Sequence, residues 1–435
     1  MNLKFRLEIR YIIKIKQSRY DSGSRLRMNK IIVQKYGGSS VSSIDKIKKI
    51  AGKIVQKAKK GYRLVIVLSA MGKSTDKLVK MAEGITANPR EREMDMLLST
   101  GEQVSIALLT MAIHNLNWEA ISLTGRQAGI VTSGGHTKAK VTNIHHEKIK
   151  NALKKGNIVI VAGFQGINLN GDITTLGRGG SDTTAIALAA QLHADLCEIF
   201  TDVDGVYNAD PRIVKNACRI PEISYDEMAE MAILGAKVMH YRAIDLARNY
   251  QVKILVKSSF EPGEGTMIKE VDVMLEKVIV RGVTEEKNVG KIVAEGVPDV
   301  PGIAYKLFKA LAEKEIIVDM IIQSSHRKEI NDIAFTVAMA DFNNASKITN
   351  EFIEEVNAQG IISDSKVAKV SIVGAGITSD PLIASRMFGA LSREKINIDM
   401  ISTSGIRISC LINEENIEKA VKTIHKEFNL ENVGE

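Results

Sequence analysis

The stretch "PGIAYKLFKALAEKEIIVDMIIQS" (Pro301–Ser324) returns eighty residues later as "PLIASRMFGALSREKINIDMISTS" (Pro381–Ser404). Pro301/Pro381, Phe308/Phe388, Leu311/Leu391, Asp319/Asp399 and Met320/Met400 occupy matching positions. In each copy a helix of about four turns leads into a buried strand. A repeat of this length is a duplicated small domain. Helix followed by strand, with further strands around it, predicts a βαββαβ unit in each copy. Such a pair claims the last third of the chain. The remainder of the 435 residues must build a core of its own.

Between residues 30 and about 265, short β-branched runs alternate with helical segments, the pattern of a parallel α/β sheet. "IIVQKYGG" is a strand running into glycines, followed by the helix-like "SSIDKIKKIAGKIVQKAKKG". "RLVIVLSA", "NIVIVAGFQG" and "CEIFTDVDGVY" each end in a polar loop, and 90–116 reads as a long helical region. Ligands of open α/β sheets sit at the carboxyl ends of strands, where the unusual residues of this chain fall. "FEPGEGTMI" (Phe260–Ile268) reads as the linker to the repeat.

Apolar runs such as "LVIVLSA" and "IVIVAGF" are strand-length, short of the roughly 20 residues that cross a bilayer. Cys197, Cys218 and Cys410 are scattered, giving neither a disulfide framework nor a metal pattern, so a reducing cytoplasm is expected. The net charge of +8 is concentrated: residues 1–27 hold eight Lys/Arg against two acids. The body is nearly balanced, which argues against a nucleic-acid face. The alternating "LKFRLEIRYIIKIK" has a strand period rather than the continuous apolar core of a signal peptide. It reads as an extension upstream of a domain that begins near Met28.

The chemistry is concentrated in a few stretches. In "TTLGRGGSDTTAIALAA" (Thr174–Ala190) three glycines and Arg178 precede a Ser-Asp-Thr-Thr cluster and an alanine-rich helix. Alone, it fits a flexible turn before a capped helix as well as an anion site at a helix N-terminus. Lys35 ends a strand beside Gly37, Gly38, Ser39 and Ser40, where an ammonium and bare amides can meet a phosphate. The nearest approach to a P-loop, "MGKST", has Val67 where that motif needs glycine. "TDVDGVYNADPR" (Thr201–Arg212) sets an aromatic and a basic residue beyond an Asp-Gly turn, as a nucleotide would use them. "ISYDEMAEMAILGAKVMH" opens with a capping box, Ser224 to Glu227, and places Lys237 past Gly235.

"KYGGSS", "STGEQVS", "GRGGSDTTA", "TDVDGVYNADPR" and "LGAKVMH", in this order and before a tandem repeat, resemble the aspartate kinases. The resemblance runs from about Lys30 to the end and is to the monofunctional kind. It implies an α/β fold: a mainly parallel-sheet, three-layer amino-acid kinase domain followed by two ferredoxin-like βαββαβ ACT domains. The implied boundaries are 1–28 for the basic extension, 29–262 for the kinase domain, 263–285 for a linker, and 286–365 and 366–435 for the ACT domains.

By the same resemblance the chain transfers the γ-phosphoryl group of ATP to the side-chain carboxylate of L-aspartate. Lys35, Asp182 and Lys237 are then catalytic, and Thr75, Glu102, Arg178 and Ser181 bind aspartate. Lys35, Gly37, Gly38, Ser39, Thr201, Asp202, Tyr207, Arg212 and Lys237 bind ATP. Magnesium rides on the ATP phosphates, and no protein metal-ligand set is legible. The ACT pair implies an amino-acid effector, lysine before threonine, with Asp299, Gly302, Ile303, Asp319 and Met320 of the first copy as its candidate contacts. A homodimer or higher homo-oligomer through the ACT domains is expected, with neither nucleic acid nor membrane as partner. Acetylglutamate kinase, glutamate 5-kinase and a catalytically decayed amino-acid sensor are the competing readings. The ACT pair, the Arg178/Glu102 combination and the intact Lys35, Arg178, Asp182 and Lys237 oppose them.

Overall fold

A computed structural model describes residues 30–235, 238–271, 280–324 and 329–432. The basic extension and Lys237 lie outside the described residues. The chain divides into two compact units.

The first unit opens with β1 (Ile31–Tyr36), α1 (Ile44–Lys59), β2 (Arg63–Leu68), α2 (Ser74–Glu83), α3 (Glu91–Leu98), α4 (Thr100–His114) and β3 (Ala120–Leu123). There follow β4 (Ile130–Ser133), β5 (Lys140–Ile144), α5 (Glu147–Lys154), β6 (Ile158–Ala162), β7 (Gln165–Ile167), β8 (Ile173–Thr175), α6 (Gly180–Leu192) and β9 (Leu196–Thr201). Beyond these come β10 (Glu222–Ile223), α7 (Tyr225–Ile233), α8 (Tyr241–Asn249), β11 (Ile254–Ser258) and β12 (Thr266–Ile268). The main sheet runs β10-β12-β11-β9-β1-β2-β6-β3. Its centre is parallel: β1 pairs in parallel with β2 and β9, and β6 with β2 and β3.

Strands β2 and β6 are apolar almost throughout because helices cover both sheet faces. On one face Ile47, Ile50 and Ile54 of α1 and Leu109 and Ile113 of α4 pack on Ile32, Ile66 and Ile160. On the other, α6 lies on β1, β2 and β9, and its alanine-rich sequence is buried almost throughout. The three-layer expectation is met. A smaller sheet, β5-β4-β7-β8, stands beside the main one. The capping box at α7 forms, with Ser224 N–H donating to Glu227 Oε2 at 3.1 Å and Glu227 N–H to Ser224 Oγ at 3.2 Å.

Helices α3 and α4 run on through Ser99 in helical conformation. The resulting stretch, Glu91–His114, is long and apolar enough to cross a membrane by length and composition. The strand-length apolar runs did not anticipate this. Half of its apolar window is buried inside the fold, and it carries the buried acids Asp95 and Glu102.

The second unit takes in residues 207–220 and 230–235 together with the C-terminal part. Its elements are β13 (Gly282–Pro298), α9 (Ile303–Glu313), β14 (Val318–Gln323), β15 (Ile330–Ala338), α10 (Phe342–Val356), β16 (Gly360–Val373), α11 (Pro381–Arg393), β17 (Met400–Ser404), β18 (Arg407–Asn413) and α12 (Ile417–Glu427). One antiparallel sheet, β14-β15-β13-β16-β18-β17, serves both repeats. The long strands β13 and β16 are shared: Ile361–Asp364 pair with Lys291–Ala294, and Lys369–Val373 with Gly282–Glu286. The first copy is therefore a βαββαβ unit from β13 to the start of β16. The second supplies βαββα, and residues 282–286, all but the last assigned above to the linker, complete its sheet. Each copy keeps its own helix-covered core, around Leu307, Leu311, Phe335 and Phe352 in one and Met387, Leu391, Val421 and Ile424 in the other.

Candidate active site

Strand β1 ends in the middle of the first unit's sheet, with Lys35 in register with Val67 of β2 and Ile199 of β9. Alternation turns Gln34 and Tyr36 to one face and Lys35 to the other, where α6 begins. There Lys35 Nζ lies 2.7 Å from Asp182 Oδ1, in the first turn of α6. Apart from this ion pair, Asp182 Oδ1 receives no hydrogen bond.

Past the strand, the chain turns so tightly that a Cβ on Gly38 would stand 2.8 Å from the Ala70 carbonyl oxygen and 3.0 Å from that of Gly72. The amides of Gly38 and Ser39 donate to no backbone carbonyl among the described residues, whereas that of Gly37 continues the parallel ladder to the Phe200 carbonyl at 3.3 Å. Two of the three amides expected to meet phosphate are thus open. Thr201 ends the adjoining strand β9, its hydroxyl donating to the exposed Asp202 at 3.1 Å.

Glu102, on α4, reaches the same strand ends from the opposite side. It is buried, and Oε1 accepts the Ala70 amide at 3.0 Å. Oε2 is buried with no partner. Burial pushes the carboxyl up to about 7, although backbone amides at Glu102 and Ala70 hold it down in part. Gly101 permits the approach, since a Cβ there would stand 2.8 Å from Ala70 Cβ. Ser181, in the first turn of α6, packs where Gly163 lacks a side chain: a Cβ there would lie 2.7 Å from Ser181 Oγ and 3.0 Å from the Leu68 carbonyl oxygen. Gly38, Glu102 and Ser181 thus converge on the Leu68–Ala70 end of β2. Thr75 is half-buried at the start of α2.

The "GRGG" loop joins β8 to α6. Gly177 and Gly179 have φ of 70° and 69°, the left-handed region that favours glycine. Gly179 caps α6 without a side-chain hydrogen bond, leaving the helix N-terminus open to an anion. Arg178 between them is exposed, and no acid pairs with it among the described residues. His240 packs directly on Gly179. Burial, then the charge of Arg242, lowers the His240 pKa; Asp182 opposes this and Arg178 adds to the lowering.

Tyr207 and Arg212 belong to the second unit. There Tyr207 bridges to Arg219, and Arg212 is exposed with its guanidinium on Asp210 at 2.5 Å. In the same unit Asp319 is held by Lys369 and has Arg407 at 3.9 Å. Met320 is buried and its amide donates to Thr336 Oγ1 at 3.1 Å. Asp299 is exposed, Gly302 caps α9 at φ 93° with no side-chain bond, and the Ile303 amide reaches the Val300 carbonyl at 3.3 Å. Among the described residues no group of three or more His, Cys, Asp or Glu could hold a metal ion.

Phe164 is among the residues near the site that escaped the sequence reading. It has φ 68°, a strained value for a bulky side chain. Its amide donates to Thr184 Oγ1 at 3.1 Å and its carbonyl accepts Leu176 N–H at 2.9 Å. The ring lies where Gly180 has no side chain. The signal was an aromatic directly after "IVIVAG" at a strand end.

The model of the amino acid kinase family matches residues 30–258, and that of the ACT domain matches 291–351 and 370–428. An aspartokinase of Geobacillus stearothermophilus is 48% identical over 400 residues, 92% of this chain and 97% of that protein. An aspartate kinase of Pseudomonas putida is 46% identical over 402 residues, 92% and 98% of the two chains. Among solved structures, E. coli aspartokinase III with aspartate and ADP (R-state) superposes with a TM-score of 0.77 at 26% identity, covering 91% of this chain and 99% of that one. The same enzyme with lysine and aspartate (T-state) gives 0.72 at 27%, covering 92% and 99%.

Proposed function

The chain belongs to the aspartate kinase family, and from that membership we propose that it converts L-aspartate and MgATP to 4-phospho-L-aspartate and ADP. The observation that carries the substrate assignment is Glu102, a buried carboxylate with one oxygen satisfied and the other bare. A desolvated half-paired acid awaits a cation, and the α-ammonium of an amino acid supplies one. Arg178 takes the α-carboxylate through its two-pronged head, with Ser181 closing the pocket and Thr75 beside it. The side-chain carboxylate is left facing Lys35.

A carboxylate is ionised at neutral pH, so attack on the γ-phosphorus needs no general base. What opposes reaction is one anion approaching another, and catalysis reduces to positioning and charge neutralisation. Lys35 lies against the transferring phosphoryl group, the open amides of Gly38 and Ser39 hold its oxygens, and Asp182 keeps the ammonium in place when the site is empty. Thr201, Asp202, Tyr207, Arg212 and Lys237 hold the nucleotide. Magnesium would come with the ATP phosphates and would supply charge neutralisation there.

The chain then stands at the first step toward lysine, threonine and methionine, in the cytoplasm. It is a homodimer or higher oligomer joined through the ACT sheet, and is inhibited by an amino acid, lysine before threonine. The two repeats differ where such a ligand's carboxylate would dock. Asp380 caps α11 through the Leu382 amide at 2.9 Å, whereas the N-terminus of α9 behind Gly302 has no side-chain cap. The first copy is therefore the binding copy; Asp299 and Asp319 face the ligand's ammonium groups, beside Met320 and the Gly302–Ile303 backbone. Hydroxamate trapping of an acyl phosphate tests the reading. Product that forms only with both ATP and L-aspartate is expected, and equal product with glutamate or N-acetylglutamate overturns it.

A further inference from the structure

We propose that Asp95 and Arg242 are positioning residues for aspartate recognition, gripping the segment before α6 from two sides so that Arg178 is presented to the substrate's α-carboxylate. The inference rests on the role given to Arg178 above. Arg178 stands between glycines with φ of 70° and 69°, a backbone that would wander if nothing held it. Its own guanidinium has no acid partner among the described residues, yet the residues around it are tied down.

Asp95, on α3, is fully buried. Its Oδ1 accepts the Thr175 hydroxyl at 2.5 Å and the Thr137 amide at 3.1 Å, and its Oδ2 meets His136 Nδ1 at 2.7 Å. A carboxylate this deep without a lysine or arginine partner is a poor choice for stability alone. What it does is fasten Thr175, three residues before Arg178, to the loop that carries His136 and Thr137. Thr137 has φ 63°. Its carbonyl oxygen stands where a Cβ on Gly177 would come within 3.0 Å, and Ala139 N–H donates to the Thr175 carbonyl at 3.0 Å.

Arg242, in the first turn of α8, holds the other side. Its Nη1 donates to the Leu176 carbonyl at 2.8 Å and its Nη2 to the Ala139 carbonyl at 3.3 Å. Two residues earlier, His240 packs on Gly179 and accepts the Arg242 amide at 3.3 Å. Thr175, Leu176, Gly177 and Gly179 are thus each held while the arginine head stays free. That is preorganisation of a binding group by its supporting shell.

Steady-state kinetics on the full chain test the proposal. Arg178→Ala should raise KM for aspartate about tenfold or more, with KM for ATP within about twofold. Thr175→Val removes one hydroxyl without changing shape. It, Asp95→Val and Arg242→Met should each raise aspartate KM roughly 5–20-fold, since small misplacements of a binding group are costly, with kcat and ATP KM little changed. Asp95→Asn should stay near wild type, because its amide oxygen still accepts from Thr175 and Thr137. β-Alanine, which lacks the α-carboxylate, should lose little in these variants, so the preference for aspartate over it narrows. If Arg178→Ala raises aspartate KM but Thr175→Val and Arg242→Met do not, the positioning claim fails alone. If the variants lower apparent kcat in step with lost folded protein and leave both KM values unchanged, Asp95 and Arg242 are merely structural. If Arg178→Ala itself leaves aspartate KM unchanged, the α-carboxylate assignment falls and this inference with it.

Discussion

Glu102 is ionised in solution but, buried beside Ala70, keeps its proton up to about pH 7. Aspartate binding needs the charged form, so kcat/KM for aspartate is expected to rise with pH through about 7, and Glu102→Gln should flatten that rise while weakening binding. The same shift has a stability consequence of fixed sign. Between the ordinary value of 4.5 and about 7 the folded chain holds a proton that the unfolded chain has lost, so the residue's contribution falls as pH rises through that window. Melting curves of Glu102→Gln and wild type at pH 5 and pH 8 should show the variant gaining relative stability at the higher pH. No change in the difference would show that the carboxyl is not desolvated. Lys35 gives a second residue-level test. Lys35→Met should lower kcat by about 10²–10³, the scale of losing one preorganised charge partner. The melting temperature should change little, because Asp182 left behind sits at a helix N-terminus that favours negative charge. Near-normal turnover would remove Lys35 from the mechanism.

Among elements, what could be read from the sequence is what is local in the chain. The tight turn in "KYGGSS" and the glycine-rich entry to a helix in "GRGGSDTTA" each lie within ten residues, and the three layers follow from runs of apolar residues and their spacing. Asp95, Arg242 and Phe164 could not be read this way. Asp95 meets Thr175 eighty residues on, and an aspartate in an amphipathic helix looks like a solvated one. The sharing of β13 and β16 was equally invisible, since a strand's sequence does not say which partners flank its two ends. That sharing makes Lys369 a test at this scale. It is buried on β16 between Glu286 of β13, at 2.7 Å, and Asp319 of β14. Both acids remain nearly a third exposed, so Lys369→Met should destabilise the second unit by about 1–3 kcal/mol, less than a fully buried pair would cost. Because both repeats use the same two strands, calorimetry should show them melting in one lowered transition. Separate transitions for the two copies would contradict the shared sheet.

At the scale of the whole molecule, feedback inhibition requires that an effector on the regulatory sheet alter groups that handle a substrate. Residues 207–220 bring the nucleotide-side candidates Tyr207 and Arg212 into the same compact unit as that sheet, and residues 230–235 belong to that unit as well. Val283 N–H of β13 donates to the Asn208 carbonyl at 2.7 Å, next to Tyr207. Gly235, at φ 110°, has no room for a Cβ against the Glu285 carbonyl. Arg407 of β18 joins Glu230 of α7, at 3.2 Å, to Asp319 of β14, at 3.9 Å. An effector that competed with Arg407 and Lys369 for Asp319 would release Glu230, seven residues before Lys237 in the sequence, and on the proposed assignment would act on ATP rather than on aspartate. It inhibits only to the extent that it binds the released arrangement more tightly than the intact one. Millimolar lysine is therefore expected to raise KM for ATP more than KM for aspartate, with threonine the weaker inhibitor. Asp319→Ala should weaken inhibition. Arg407→Met should retain uninhibited kcat and still bind lysine by calorimetry, yet lose most of the response, because the tie from the sheet to α7 is cut. Inhibition unchanged in Arg407→Met would remove this route, and a kinase indifferent to millimolar lysine and threonine, alone or together, would refute the regulatory reading while leaving the catalytic one intact.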